Sequence, residues 1–197
     1  MGTGKYFKFT MKTIGILVIL FCFSSCSEDK GYSKTIKIRD TYFKGNVTVE
    51  KIVKLNKYRI SIFDSITGGS DRIYTPYEVF EMETGDVNRD GRTDICIGII
   101  KPTPFDPVLK KRLFIFQIDR DYIRPLWLSS RLVNPLEEFS VCNKKAGCTI
   151  KTIERQNKSL YCIHEYRWGS FGMSFLKSLS DSIPDITRAQ LALNKSY

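Results

Sequence analysis

One histidine, His164, and no C-x-x-C pair among six cysteines leave this 197-residue chain poor in the side chains from which zinc sites and nucleophile–base pairs are built. Zinc is therefore not expected. His164 lies in Tyr161-Cys162-Ile163-His164-Glu165-Tyr166-Arg167-Trp168, a strand-like run with no serine or cysteine nucleophile motif near it, so a structural or surface role is expected. The pair Glu137-Glu138 does not make a glycosidase site either, because neighbours on a strand point to opposite faces. No catalytic signature remains, and the chain is not expected to be an enzyme. Helical patterning is almost absent as well. Only the end carries it, where Ser182 can cap, Pro184 sits in the first turn and Asp185–Leu193 follows with helix formers.

Long apolar runs are also lacking. Ile14–Phe23, preceded by Lys5, Lys8 and Lys12, is well short of the roughly 20 residues that a spanning helix needs. The segment targets the chain for export and does not span. It ends in Ser24-Ser25-Cys26, small residues before a cysteine, which resembles the lipobox of bacterial lipoproteins. On that resemblance residues 1–25 are a lipoprotein signal peptide, Cys26 is lipidated, and residues 26–40, starting Ser27-Glu28-Asp29-Lys30-Gly31, tether the rest to the membrane. Ser27 after the cysteine implies the outer membrane, and Glu28-Asp29 is similar to surface-export signals, so both periplasmic and surface-facing placements stay open. An ordinary secretory signal with a chance cysteine is the competing reading. Met11 offers a second start, directly before Lys12 and the apolar run.

Residues 1–25 hold three lysines and no acid, so their removal leaves 28 basic against 21 acidic residues, a net charge of +7. Such a balance draws a protein to anionic surfaces. Nucleic acid is not an expected partner for an exported chain; an envelope glycan, a phosphate-rich glycolipid or a protein is. Lys144-Lys145 and Lys110-Lys111-Arg112 are the densest clusters, best read as a solvated rim beside turns. An oxidising compartment also suits the four remaining cysteines. Cys142 and Cys148 are expected to bridge a short hairpin that turns at Lys144–Gly147, while Cys96 and Cys162 lie in apolar runs as buried thiols.

Residues 41–197 read as one mainly β domain with a short C-terminal helix. Val47–Val53 and Tyr58–Phe63 flank a turn at Leu55-Asn56-Lys57. Asp94–Ile100 and Arg112–Ile118 are apolar at every other position and between, as doubly covered central strands are, and Lys101–Pro107 with three prolines is a loop. Tyr122–Leu128, Glu138–Cys142, Thr149–Arg155, Ser159–Arg167 and Phe171–Leu176 are further strands. Trp127, Arg131, Tyr166, Arg167 and Trp168 form a candidate binding surface, with a β core and its rim as the other reading.

What the chain does carry is Gly85-Asp86-Val87-Asn88-Arg89-Asp90-Gly91-Arg92-Thr93-Asp94, with oxygen-bearing side chains at alternate positions and a glycine where the chain must turn. Calcium takes six to eight oxygens at about 2.3–2.6 Å, and such a run supplies them. An EF-hand is excluded, since the twelfth loop position is Ile97 within a strand rather than a bidentate glutamate. A loop running straight into Ile95-Cys96-Ile97-Gly98 resembles the FG-GAP or VCBS repeat of integrin-type β-propellers. That resemblance covers Gly85–Gly98. It implies Asp86, Asn88, Asp90 and Asp94 as side-chain ligands to Ca2+ and Arg92 as the carbonyl donor. An Asx-rich turn without metal is the alternative. The loop occurs once, and the chain is too short for six or seven blades, so antiparallel meander sheets resembling propeller blades are expected. The role implied is a lipid-anchored envelope protein whose calcium-stabilised domain binds or scaffolds; a calcium-dependent enzyme or polysaccharide-processing accessory lipoprotein is the alternative.

Overall fold

The computed structural model describes Met1 and residues 31–104, 106–128, 132–144 and 147–195. Residues 2–25 of the expected signal peptide, Cys26, and Arg131 lie outside the described residues. No helix among the described residues is long and apolar enough to cross a membrane.

The chain folds as three antiparallel four-stranded meanders in strict sequence order. The first comprises β1 (Lys34–Arg39), β2 (Lys44–Ile52), β3 (Lys57–Asp64) and β4 (Ser70–Thr75). The second comprises β5 (Glu78–Gly85), β6 (Asp94–Thr103), β7 (Asp106–Asp119) and β8 (Tyr122–Leu128). The third comprises β9 (Leu136–Lys144), β10 (Gly147–Arg155), β11 (Tyr161–Gly169) and β12 (Gly172–Ile183), and helix α1 (Ile186–Lys195) follows. The mainly β, blade-like meander architecture is thus present, with a short terminal helix.

Side-chain parity explains the stacking. On β6 and β7, Ile95, Ile97, Ile99, Phe114 and Phe116 pack against Val47, Val49, Ile60 and Ile62 of the first sheet. The intervening residues, Cys96, Leu113 and Ile115, pack against Phe139, Val141 and Ile150 of the third. The middle sheet is covered on both faces, which is why its two central strands read as continuous apolar runs. The far face of the third sheet is closed by α1 through Ile153, Ile163, Ala189 and Leu193. Asp185, not Ser182, caps that helix, because its Oδ1 accepts the Arg188 N–H at 2.8 Å.

Three expectations are corrected. Residues 34–39 of the expected tether form β1, whose partners run from Lys34↔Val49 to Arg39↔Lys44, so the folded domain begins before residue 41. The proline segment is not all loop: β6 and β7 pair as far as Thr103↔Asp106, with the register shift at Lys101/Thr103 absorbing Pro102. Cys142 and Cys148 are thiols, not a disulfide. The β9–β10 register sets Asn143 opposite Cys148 and Cys142 opposite Thr149, so the two cysteines stand on opposite faces of the hairpin. Cys96 and Cys162 are buried thiols.

Candidate functional site

The Asp86–Asp94 segment joins β5 to β6 across the close pair Gly85↔Asp94, on the middle sheet. The chain must reverse within it, and it does so through left-handed backbone at Arg89 (φ 65°) and Gly91 (φ 84°). Val87 is fully buried and pins the loop to the core between the second and third sheets. From outside, Asp40 of the β1–β2 turn accepts the Thr93 N–H at 2.8 Å while also accepting those of Tyr42 and Phe43. Burial alone would raise the Asp40 pKa, but these hydrogen bonds outweigh it and hold the carboxyl below its ordinary value.

The loop's acids face inward on its own amides. Asp86 accepts from the N–H groups of Asp90 and Gly91, each at 3.0 Å, and Asp90 accepts from Arg92 at 2.9 Å. Asn88 Oδ1 accepts from Asp90 at 3.1 Å. Asp94 is the exception that matters. Its Oδ2 accepts from Val87 and Asn88, at 2.9 and 3.3 Å, whereas its Oδ1 is buried with no hydrogen-bond partner among the described residues. The residue is wholly inaccessible to solvent, at 0% exposure. Burial, with the charges of Asp90 and Asp86 added, pushes its pKa up to about 7. A buried carboxylate oxygen left bare costs about 1–3 kcal/mol, more when charged, so this oxygen is the unsatisfied group of the loop. Asp86, Asn88, Asp90 and Asp94 lie on one turn, tied through its amides, but among the described residues the three acids do not bring one oxygen each within 4.8 Å of one another.

Both arginines of the loop turn their charge elsewhere. The Arg92 guanidinium lies 4.7 Å over the Tyr42 ring and 3.4 Å from Asp119, and Arg89 reaches over Gly147 of the β9–β10 turn. The repulsion expected of two cations on a short loop is thereby reduced.

The candidate aromatic surface is not assembled. Trp127 and Tyr166 are buried, at 9% and 2% exposure, and Trp168 packs on the same core, while Arg167 is exposed on the other face of β11 from Tyr166. Glu137 pairs with Lys111 and Arg155, and Glu138 meets Gln190, so the two acids part company. The Lys110–Arg112 cluster instead helps line a cleft of about 800 Å3, together with Lys101, Leu128 and Val133. Asp106 within it bonds Lys110 and Arg112, and these hydrogen bonds hold its carboxyl at about 2. Lys101, Lys110, Lys111 and Arg112 thus line a cleft rather than only the solvated rim the sequence suggested, with Lys110 and Arg112 paired to Asp106 and Lys111 to Glu137.

His164 is buried on β11, where its Nδ1 stands 3.2 Å from Glu154 Oε2. This cluster escaped the sequence reading; the signal that could have found it is Cys162-x-His164 on one strand face with a glutamate directly across the hairpin at Glu154↔Cys162. Comparison of the chain with family models, with curated proteins and with solved structures finds no match.

Proposed function

We propose that this chain is a lipid-anchored protein of the bacterial cell envelope, in the outer membrane, whose β domain is stabilised by one Ca2+ and serves as a non-catalytic binding or scaffolding module. The observation that carries the calcium reading is the bare, buried Oδ1 of Asp94 at the end of a loop whose Asp86, Asn88 and Asp90 oxygens turn in on its own amides. An ion there would take side-chain oxygens from these four residues and the Arg92 carbonyl, and would fasten the β5–β6 connection to the strand that lies between two cores. The basic cleft beside Lys101 and Lys111 supports a binding role toward an acidic envelope glycan, glycolipid or protein. Affinity for Ca2+ falls in the extracellular range, about 10⁻⁴–10⁻³ M. Calorimetric titration of the chelator-treated protein is expected to give one calcium site in the wild type and a loss of about tenfold or more in Asp90→Ala; equal isotherms would leave an ordinary Asx-rich turn.

Anchoring rests on Ser24-Ser25-Cys26 at the end of a short apolar run. Two acyl chains on Cys26 would hold the protein stably where one would not, at about 0.8 kcal/mol per buried methylene. Metabolic labelling with a palmitate analogue is expected to mark the wild type and to leave Cys26→Ala unmarked and released from the membrane. Equal labelling of both would sink the anchor.

A further inference from the structure

The inner face of the third sheet changes character along its length. Near the middle sheet it is apolar, with Cys148 and Ile150, and further along the same parity carries Thr152 and Glu154 on β10 and Cys162, His164 and Tyr166 on β11. Glu154 is directly opposite Cys162, and Thr152 opposite His164. Three donors of different softness therefore meet: a carboxylate oxygen, a thiol sulfur and an imidazole nitrogen, all within 4.8 Å of one another and all buried. A carboxylate, a thiol and an imidazole converging out of solvent are costly unless they are paired or hold a cation.

We infer that Glu154, Cys162 and His164 form a zinc site, with Glu154 Oε2, Cys162 Sγ and His164 Nδ1 as ligands and water completing the tetrahedron. The spacing supports it. Nitrogen and oxygen donors at 2.0–2.1 Å from one tetrahedral ion stand about 3.3 Å apart, and the Nδ1–Oε2 distance is 3.2 Å. Sulfur, at a longer bond, needs only to close from within the 4.8 Å envelope. The charge also balances, since a thiolate and a carboxylate neutralise one divalent ion and the imidazole adds none.

The surroundings are those of an outer shell. Glu154 Oε1, the oxygen left over, accepts from Tyr166 and Thr152, each at 2.7 Å, which fixes the carboxylate's orientation. Asn134 serves both ends, its N–H donating to Glu154 Oε2 at 2.7 Å and its Nδ2 lying 3.5 Å from Cys162 Sγ. On the far side of the imidazole, Asp181 Oδ1 is 3.9 Å from His164 Nε2. Metal-bound histidines commonly donate their other ring N–H to a carboxylate, which fixes the tautomer and raises ligand basicity; Asp181 stands just beyond hydrogen-bond distance and would need to close on the ring by about half an ångström to do so. Strand β12 is irregular at this point, its register slipping between Tyr161/Ile163 and Ile163/His164, and those slips carry Asp181 alongside the ring. Phe175 closes the site from the side, edge-on to the ring at 5.2 Å. Borderline-soft zinc suits a mixed nitrogen, sulfur and oxygen set, whereas calcium, a hard ion, does not. This site is thus independent of the Asp86–Asp94 loop.

The test is a cobalt titration of the full chain after chelator treatment. One equivalent of Co2+ is expected to produce a thiolate-to-cobalt charge-transfer band and the intense visible bands of a tetrahedral ion, and Zn2+ should bleach both. The bands should persist in Asp90→Ala and vanish in Cys162→Ser. Asp181 is exposed, so Asp181→Ala should fold normally and yet bind zinc about 10–100-fold more weakly, as loss of an outer-shell carboxylate does. If Cys162→Ser does not fold, the wild-type spectrum and the Asp181→Ala affinity decide alone. A folded wild type showing only the spectrum of hydrated cobalt, a band that survives Cys162→Ser, or an Asp181→Ala affinity equal to wild type would overturn the assignment and leave a buried acid–imidazole hydrogen bond.

Discussion

In chelator, the protein is expected to lose stability as pH rises from about 5 to about 8, and millimolar calcium is expected to offset part of that loss. The cause is Asp94, whose carboxyl ionises at about 7 instead of the ordinary 3.8 because burial, aided by the charges of Asp90 and Asp86, disfavours its charged form. Between those two values the folded chain holds a proton that the unfolded chain has released. Stability therefore falls through this window as pH rises, and the loss is complete above about 7. At about 1.4 kcal/mol per pH unit, the ionised and bare Asp94 costs at most about 4 kcal/mol. Calcium binds the ionised form only, so its effect is small at pH 5 and largest at pH 8. With about 1 mM ion and the affinity given above, linkage contributes about 0.4–1.4 kcal/mol, a rise of a few degrees in Tm. Asp94→Asn separates the terms. It removes the buried charge while its amide oxygen can still accept from Val87 and Asn88, so its chelated Tm at pH 8 is expected above that of the wild type, with no response to calcium. Thermal melts at the two pH values with calcium and with chelator decide the matter. Wild-type midpoints that coincide in all four conditions would refute the loop as a cation site.

How much of this was legible in the chain depends on what kind of signal each feature carries. The middle sheet was legible because β6 and β7 are covered on both faces, so Ile95–Ile100 and Arg112–Ile118 show apolar residues at both parities. Strands β1 and β4 were not. Each is an edge strand of a sheet buried on one face only, and Lys34–Arg39 presents just Ile36 and Ile38 to the core, while Ser70–Thr75 presents a half-buried Ile73. The Asp86–Asp94 turn was readable as one unit because its side-chain oxygens and the amides they bond lie in a single segment, which is a local pattern. The Glu154, Cys162 and His164 cluster is written across a hairpin and becomes a pattern only once the β10–β11 register is known. Register also explains the cysteine error, since one step along β9 moves Cys142 from the Cys148 face to the Thr149 face. The aromatic surface failed for the same reason: Trp127 faces Ile115 across β7–β8 and so points into a core.

Glu154→Ala is expected to be among the most destabilising single substitutions in the domain, at about 3–5 kcal/mol, the cost of breaking a buried charged network by removing one partner. Glu154 is fully buried, and its two oxygens accept from four groups: Thr152 and Tyr166 on Oε1, Asn134 N–H and His164 on Oε2. Truncation leaves Tyr166, the Asn134 N–H and His164 without that acceptor, and Thr152 with only its longer bond to the His164 carbonyl, and opens a cavity beside the β10 bulge at Ile153/Glu154. Tyr166→Phe should cost less, about 1–3 kcal/mol, since it removes the Glu154 bond and leaves the Val133 N–H bare. The two residues touch, so the double variant should lose less than the sum of the single ones. At about 2–4 °C per kcal/mol, Glu154→Ala lowers Tm by roughly 6–20 °C. Melts run in chelator exclude any metal contribution. A buried carboxylate that is a net burden would instead leave stability unchanged or raise it on removal, and that result would refute the network as a stabilising unit. The structural consequence is local. Val133 and Asn134, held by Tyr166 and Glu154, form one wall of the basic cleft, so the same substitution should also release that wall.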